Sequence, residues 1–142
     1  MLLDKLSIIN FKNIREEQLS LSEGINCFVG DNGAGKTNVV DALHFLSLGK
    51  SAVGMTDGQC VRHGESFFVV EGEYLTDEGK HEQIACTFAK GSGKTLKRNG
   101  KAYERIADHV GFAPVVIVAP SDTMLIGDAA EERRRYINSF IS

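Results

Sequence analysis

The sequence predicts an α/β fold, and two patterns carry this prediction. A short apolar run at residues 25–29 leads into a glycine-rich segment, and apolar residues then recur with the 3.6-residue period of a helix over Lys36–Leu48. Alternating apolar and polar residues mark three strands at Phe67–Leu75, 82–88 and 95–98. A helix flanked by strand-forming runs indicates a sheet with a helix packed on it.

The shorter elements follow from local signals. Gly49 directly after the helical pattern is a typical C-terminal stop, and Asn99-Gly100 is a strong signal for a type I′ hairpin turn. Residues 49–64 contain four glycines and little periodicity, which predicts a surface loop. The remaining predicted elements are two strands near residues 6–11 and 18–21 with a polar turn at 12–16, a short helix at 102–110, a buried β-branched strand at 115–118 that Pro120 ends, and a helix at 128–142.

Composition narrows the class of protein. The chain of 142 residues is long enough for one domain with a core, and we expect a folded, soluble, cytoplasmic protein. No apolar run reaches the roughly 20 residues that cross a bilayer, and charge appears too early in the N-terminus for a signal peptide. A net charge of −3 argues against a broadly basic nucleic-acid binder, so any DNA contact needs a local basic patch.

Two further features concern the core and the extent of the domain. Cys27, Cys60 and Cys86 are widely spaced beside apolar residues, which predicts reduced core thiols rather than disulfides or a zinc site. The last predicted helix is still apolar where the sequence stops, at Phe140 and Ile141. Residues 1–142 are therefore expected to form a single, incomplete domain of a larger unit.

Residues 30–37 match the phosphate-binding pattern G-x-x-x-x-G-K-[ST] between a predicted strand and a predicted helix. Glycines let successive backbone N–H groups turn toward phosphates, and the helix N-terminus adds its partial positive charge. Lys36 is expected to reach the β- and γ-phosphates of ATP, and the Thr37 hydroxyl to bind Mg²⁺. The predicted cofactors are ATP and Mg²⁺, and the predicted phosphate-binding residues are Gly30, Asp31, Asn32, Gly33, Ala34, Gly35, Lys36 and Thr37.

A second string at residues 91–95 looks similar but lacks the first glycine, because Phe88 occupies that position. We interpret it as a hairpin tip. Basic residues around it form candidate DNA contacts, and the alternative is a solvated hairpin. The arginines at 133–135 are likewise interpreted either as DNA contacts or as solvated side chains. Because the three cannot share one helix face, at least one is expected to pair with Glu131, Glu132 or solvent. The candidate DNA contacts are Lys90, Lys94, Lys97, Arg98 and Lys101.

The apolar run at 115–118 is not the strand that delivers a metal-binding aspartate in such ATPases. Three residues separate that run from Asp122, so the carboxylate does not emerge directly from a strand end. Asp122 is therefore not interpreted as that metal-binding aspartate.

Several motifs together resemble the RecF family, bacterial ATPases related to the structural-maintenance (SMC) and ABC-type heads. They are LSIINFKNI near the N-terminus, the phosphate-binding loop followed by NVVDAL, the GKS at 49–51 and the ERRR at 132–135. The resemblance covers nearly the whole chain. Asp41 stands where the family usually has glutamate, which retains the carboxylate. The implied fold is a truncated head lobe of the P-loop NTPases, with a mixed sheet around the strand before the loop and an antiparallel β-layer.

The resemblance also implies a function. Such a protein binds DNA under ATP control, at gapped DNA or junctions of single and double strands, in replication, repair and the SOS response. RecR and RecO would be its partners, the full-length protein would dimerise with ATP, and recombinase loading would follow. The signature L-S-G-G-Q and the Walker B Asp-Glu are both missing from this sequence. The parent protein is then a weak DNA-dependent ATPase, and this fragment alone should hydrolyse ATP poorly or not at all.

The resemblance adds two local expectations. Residues 119–122 take the place of the loop that senses the γ-phosphate, which brings Ser121 or Asp122 near the metal, and plain turn capping is the alternative. Lys12 and Asn13 approach the nucleotide from the side, or else form a solvated turn.

Two rival functions stay open at this stage. A P-loop kinase or metabolic NTPase that acts on a small molecule would need a lid with arginines, which the sequence does not reveal. A nucleotide-independent module would bind DNA or a partner through the basic hairpin or residues 133–135.

Overall fold

The structure, a computed structural model, describes residues 1–31, 33–119 and 130–141. It contains a six-stranded sheet with a helix across one face. The strands are β1 (Leu2–Phe11), β2 (Ile14–Ser20), β3 (Phe67–Leu75), β4 (His81–Ala89), β5 (Gly93–Arg98) and β6 (Lys101–Ala102). The helices are α1 (Lys36–Leu48), α2 (Asp57–Cys60) and α3 (Ala130–Ile141), with a 3₁₀ turn at Ile106–Asp108. In space the strands run β2-β1-β3-β4-β5-β6, and every neighbouring pair is antiparallel.

Helix α1 packs on the face of the sheet that carries the alternating apolar residues of β1, β3 and β4. Phe11, Phe45 and Phe68 meet edge to face there, with ring centroids 5.2–5.4 Å apart. Such aromatic pairs stabilise a core beyond the area they bury. Gly72 lets the helix approach closely, because a Cβ at that position would lie 2.8 Å from Leu46 Cδ1. The core therefore fixes α1, and with it the segment just before α1, relative to β1 and β3.

The strongest sequence signals are confirmed. Helix α1 and strand β3 have the predicted bounds. Gly49 ends α1 in the left-handed conformation with φ 68°, and its N–H donates to the Phe45 carbonyl at 2.8 Å. Asn99 and Gly100 both have positive φ, 50° and 81°, as a type I′ turn requires. Residues 90–92 form the tip of the β4–β5 hairpin.

The α/β class is confirmed, but two predicted strands are wrong. Residues 25–29 and 115–118 adopt no strand, and Val29, Val116 and Val118 are each more than four-fifths exposed. Both runs favour strands by composition, yet a strand needs a hydrogen-bonding neighbour, and no described residue pairs with either. The sheet is consequently antiparallel throughout and excludes the run before the glycine-rich loop. The helix predicted at 102–110 is also wrong, since only the 3₁₀ turn at Ile106–Asp108 forms there.

The cysteines divide into two kinds. Cys60 and Cys86 are buried as expected, whereas Cys27 is exposed, because its run lies outside the sheet. Burial raises the pKa of Cys86 to about 12 and also raises that of Cys60, where the nearby Lys12 charge opposes the effect. The three thiols are free. Among the helices that the structure describes, none has the length and apolar character to cross a membrane.

Candidate nucleotide-binding site

The glycine-rich loop at residues 30–37 curls around the N-terminus of α1. Gly33 and Gly35 have φ of 85° and 101°, conformations that L side chains rarely adopt. Gly35 is the N-cap residue of α1, and no side chain caps the helix there. The first turn of the helix also contains no acidic residue. The backbone N–H groups of the first turn of α1 and the positive end of its dipole are therefore available to bind an anionic ligand. Asn32 lies outside the described residues.

Lys36 and Thr37 begin α1 and border the open side of the loop. The Lys36 ammonium donates to the backbone carbonyl of Gly30 across the loop. A neutral carbonyl holds this charge weakly compared with a phosphate oxygen. The exposed Thr37 side chain lines the space next to the loop. Both residues thus lie at the N-terminus of α1, beside the open side of the loop; their roles as phosphate and metal ligands stay predictions.

The turn between β1 and β2 braces the loop from the side. Asn13 Nδ2 donates to the Gly33 carbonyl at 2.8 Å, and Asn38 Nδ2 donates to Asn13 Oδ1 at 2.6 Å. A Cβ on Gly35 would lie 3.0 Å from Asn13 Oδ1. The two sequence interpretations of this turn were nucleotide contact and solvation. The Lys12 side chain is only 10% exposed, and Asn13, although exposed, contacts the loop itself, so the turn packs against the loop.

A cleft of about 980 Å³ extends from the start of α1 away from the loop. Its walls combine apolar side chains with several cations, and no carboxylate of the described residues lines it. The bridge between Phe11 and Val61 and the bond from Arg62 N to the Asn10 carbonyl, 2.8 Å, tie the far wall to β1. The basic side chains that line the cleft are Lys12, Arg62, His63 and Lys90.

Behind the cleft lies a charged cluster that sequence reasoning missed. Asp41 on α1 is 2% exposed and accepts three contacts: Lys12 Nζ at 2.5 Å, Ser51 Oγ at 2.8 Å and Ala52 N at 2.5 Å. The side chains of Lys12 and Asp41 are both at least nine-tenths buried, so the pair is shielded from water. The sequence signals were an acidic residue within the apolar helical pattern and the acidic residue that the family usually has at this position.

The candidate DNA contacts on strand β5 divide between the two faces of the sheet. Lys94 and Arg98 lie on the same face as α1 and are paired, Lys94 with Asp57 at 3.0 Å and Arg98 with Glu82 through two hydrogen bonds. These bonds from Arg98, with a further one from Asn99, lower the pKa of Glu82 to about 2. Lys97, Lys101 and Lys90 are exposed. Contact of all five residues with DNA stays a prediction, and the exposed lysines are the ones free of these carboxylates.

The last candidate residues lie toward the C-terminus. Ser121 and Asp122 fall outside the described residues. On α3, Arg135 Nη2 lies 3.4 Å from Glu131 Oε1, which confirms that at least one of the three arginines pairs with an acidic neighbour.

Comparison with known proteins places these features in a family. The model of the AAA ATPase domain matches residues 1–121. The DNA replication and repair protein RecF of Flavobacterium johnsoniae is 49% identical over all 142 residues, and the chain spans 39% of the length of that relative. A solved structure of the recombination mediator protein RecF-ATPrS in the RecFOR pathway has a TM-score of 0.91 and 28% identity, covering 99% of this chain and 38% of that one.

A structure from work on ATP-driven dimerization and DNA-stimulated activation of SMC ATPases is similar in fold alone. Its TM-score is 0.77 at 20% identity, and the match covers 97% of this chain and 98% of that one. The α/β arrangement described above is therefore shared with SMC heads.

Proposed function

Because the chain belongs to the AAA ATPase domain family and corresponds to the N-terminal part of RecF proteins, we propose that it binds ATP with Mg²⁺ at residues 30–37. The observation that carries this proposal is the uncapped N-terminus of α1, with Gly33 and Gly35 in left-handed conformations beside it. This arrangement presents backbone N–H groups to an anion. The solved structures similar to this chain include RecF-ATPrS and RecF-ATP, which supports ATP as the nucleotide.

Lys36 and Thr37 supply the side chains of the site. On ATP binding, the Lys36 ammonium would exchange the Gly30 carbonyl for phosphate oxygens, which are stronger acceptors. The Thr37 hydroxyl is a hard oxygen donor of the kind that Mg²⁺ prefers, and Asp122 is a second candidate ligand. When bound, the metal would neutralise charge on the phosphates. No cluster of three His, Cys, Asp or Glu exists among the described residues, so phosphate oxygens and water would complete its coordination.

The cleft beyond Thr37 suits the base and sugar of a nucleotide, because its lining combines apolar side chains with the basic residues Arg62, His63 and Lys90. Among the residues that the structure describes, no carboxylate lines this cleft to position or activate water. We infer that this chain binds ATP but turns it over slowly or not at all by itself. The catalytic carboxylates and the signature motif would come from parts of longer relatives that this chain does not span.

The exposed apolar runs support the view of residues 1–142 as one incomplete head domain. Val29, Val116 and Val118 are the kind of β-branched residues that a sheet normally covers, and they are 84–89% exposed. In a full-length RecF-type protein these runs would pair with further strands. That protein would form an ATP-dependent homodimer, bind DNA at gaps or junctions, act with RecR and RecO and help load recombinase in the cytoplasm.

Calorimetric titration of the chain with Mg-ATP, with hydrolysis followed in the same samples, tests the proposal. Lys36→Ala should weaken binding at least about 10-fold, because a charge-assisted hydrogen bond is lost. Lys97→Ala is the matched control, since this lysine is exposed on strand β5 and not part of the loop. Equal affinities of wild type and Lys36→Ala would refute the site. DNA affinity that persists in Lys36→Ala without ATP would instead favour a nucleotide-independent binding module.

A further inference from the structure

Asp41 joins three segments that surround the cleft. It belongs to α1, receives the Lys12 ammonium from the β1–β2 turn, and holds residues 51–52 through the Ser51 hydroxyl and the Ala52 N–H. The Lys12 backbone N–H in turn donates to the Cys60 carbonyl at 2.7 Å. A single carboxylate thus ties the helix that follows the phosphate-binding loop to both sides of the cleft.

The contacts of the β1–β2 turn continue from Lys12 to the loop. Lys12 has φ 54°, a left-handed conformation that a non-glycine residue keeps only when its surroundings enforce it. Its neighbour Asn13 donates to the Gly33 carbonyl and accepts from Asn38. The buried ion pair with Asp41 is the side-chain contact that can enforce the conformation of Lys12. A continuous path of contacts therefore runs from Asp41 through Lys12 and Asn13 to Gly33.

We propose that Asp41 is a positioning residue for nucleotide binding, acting through Lys12. It holds the Lys12–Asn13 turn so that Asn13 keeps the phosphate-binding loop in its curled form before the nucleotide arrives. The part of this inference that concerns affinity rests on the proposed ATP-binding function. The part that concerns loop order does not, because the contacts are made without a ligand.

Four variants separate this role from general stabilisation. Asp41→Asn and Lys12→Met both remove the ion pair. Ser51→Ala removes another bond to Asp41 but leaves the pair intact. Glu82→Gln breaks an ion pair at the Arg98 end of β4 and β5, away from the loop. Urea unfolding of each variant measures the cost to overall stability.

The first measurement is hydrogen–deuterium exchange of the peptide that covers residues 31–38, without nucleotide. We expect about 10-fold faster exchange in Asp41→Asn and in Lys12→Met, since each loses one charge-assisted bond. Ser51→Ala and Glu82→Gln should stay within about 2-fold of wild type, and strand β3, which contains none of the substituted residues, should be unchanged in all four. If Asp41→Asn unfolds, Lys12→Met alone carries the test. Unchanged loop exchange in the folded pair-breaking variants, or equal changes in all four, would overturn the proposal.

The second measurement is Mg-ATP affinity by calorimetry. Asp41→Asn should bind about 10-fold more weakly than wild type, with Ser51→Ala and Glu82→Gln close to wild type. An unchanged affinity of Asp41→Asn would overturn the role in nucleotide binding. A wild-type chain that does not bind Mg-ATP would refute the proposed function, and the exchange data would still decide whether Asp41 orders the loop.

Discussion

Substitution of Gly35 by alanine tests whether backbone geometry makes the loop a phosphate site. An alanine at φ 101° meets the left-handed penalty of about 1–2 kcal/mol. Its Cβ would also lie 3.0 Å from Asn13 Oδ1 and 3.4 Å from Ile14 Cγ1. Relief of that crowding moves the Asn13 side chain, and overpacking of this kind costs about 1–3 kcal/mol. We expect Gly35→Ala to lower the free energy of unfolding by about 2–5 kcal/mol and to abolish measurable Mg-ATP binding.

Substitutions of two other glycines separate the backbone penalty from the crowding of the added Cβ in that estimate. Gly91 at the hairpin tip has φ 86° and nothing within 4 Å of a built Cβ, so Gly91→Ala carries the backbone penalty alone, far from the loop. Gly33 has φ 85° and equally open space, so Gly33→Ala places the same penalty inside the loop without the contact to Asn13.

Urea unfolding followed by circular dichroism, with calorimetry of Mg-ATP binding, measures all three variants. Gly91→Ala should lose stability but bind Mg-ATP like wild type. Gly33→Ala should lose similar stability and bind more weakly, and Gly35→Ala should be worst in both respects. If Gly35→Ala costs no more than Gly91→Ala and binds normally, the reasoning about the loop is wrong.

Two further predictions concern titratable groups. The pKa of Glu82 is lowered to about 2 by Arg98, so this carboxylate stabilises the fold above its ordinary pKa near 4.5, and that contribution is lost as the pH falls toward 2. The stability difference between wild type and Glu82→Gln should therefore be constant near neutral pH and shrink below about pH 4.5. A difference independent of pH would contradict the lowered pKa of Glu82. A thiol reagent should modify only Cys27 of the three cysteines in the folded chain, and should reach Cys60 and Cys86 only after unfolding. Rapid reaction of all three would refute the burial of Cys60 and Cys86.

Local patterns predicted much of the fold because the relevant physics is local. The bounds of α1 follow from the helical period and from Gly49, whose positive φ ends the helix. The β4–β5 hairpin and the Asn99-Gly100 turn likewise depend on neighbouring residues. The glycine-rich loop was predicted because its spacing and its position before a helix are themselves the signal.

The failures arise where distant residues decide the outcome. The run at 25–29 has strand composition, but a strand also needs a partner, and none of the described residues provides one. Because Cys27 lies on that run, its predicted burial failed with it. The pair of Lys12 and Asp41 joins residues far apart in sequence, and neither the period of a strand nor that of a helix predicts it. The candidate DNA contacts remain a prediction, but alternation along β5 sends Lys94 and Arg98 to one face and Lys97 to the other, so the lysines and the arginine do not form one continuous surface.

The charges around the cleft indicate how the site could favour a triphosphate. Lys12 lines the cleft, but its charge is matched by Asp41, and Arg62 has Glu65 at 3.8 Å. Lys36 is bonded to a neutral carbonyl, so its charge gains most from an oxyanion. Because Lys36 lies at the helix N-terminus, a nucleotide gains that interaction only if its phosphates reach the loop. The Coulombic selectivity of the site would therefore depend on Lys36, the α1 dipole and the exposed Lys90 of the cleft, while the other walls of the cleft contribute shape and apolar contact.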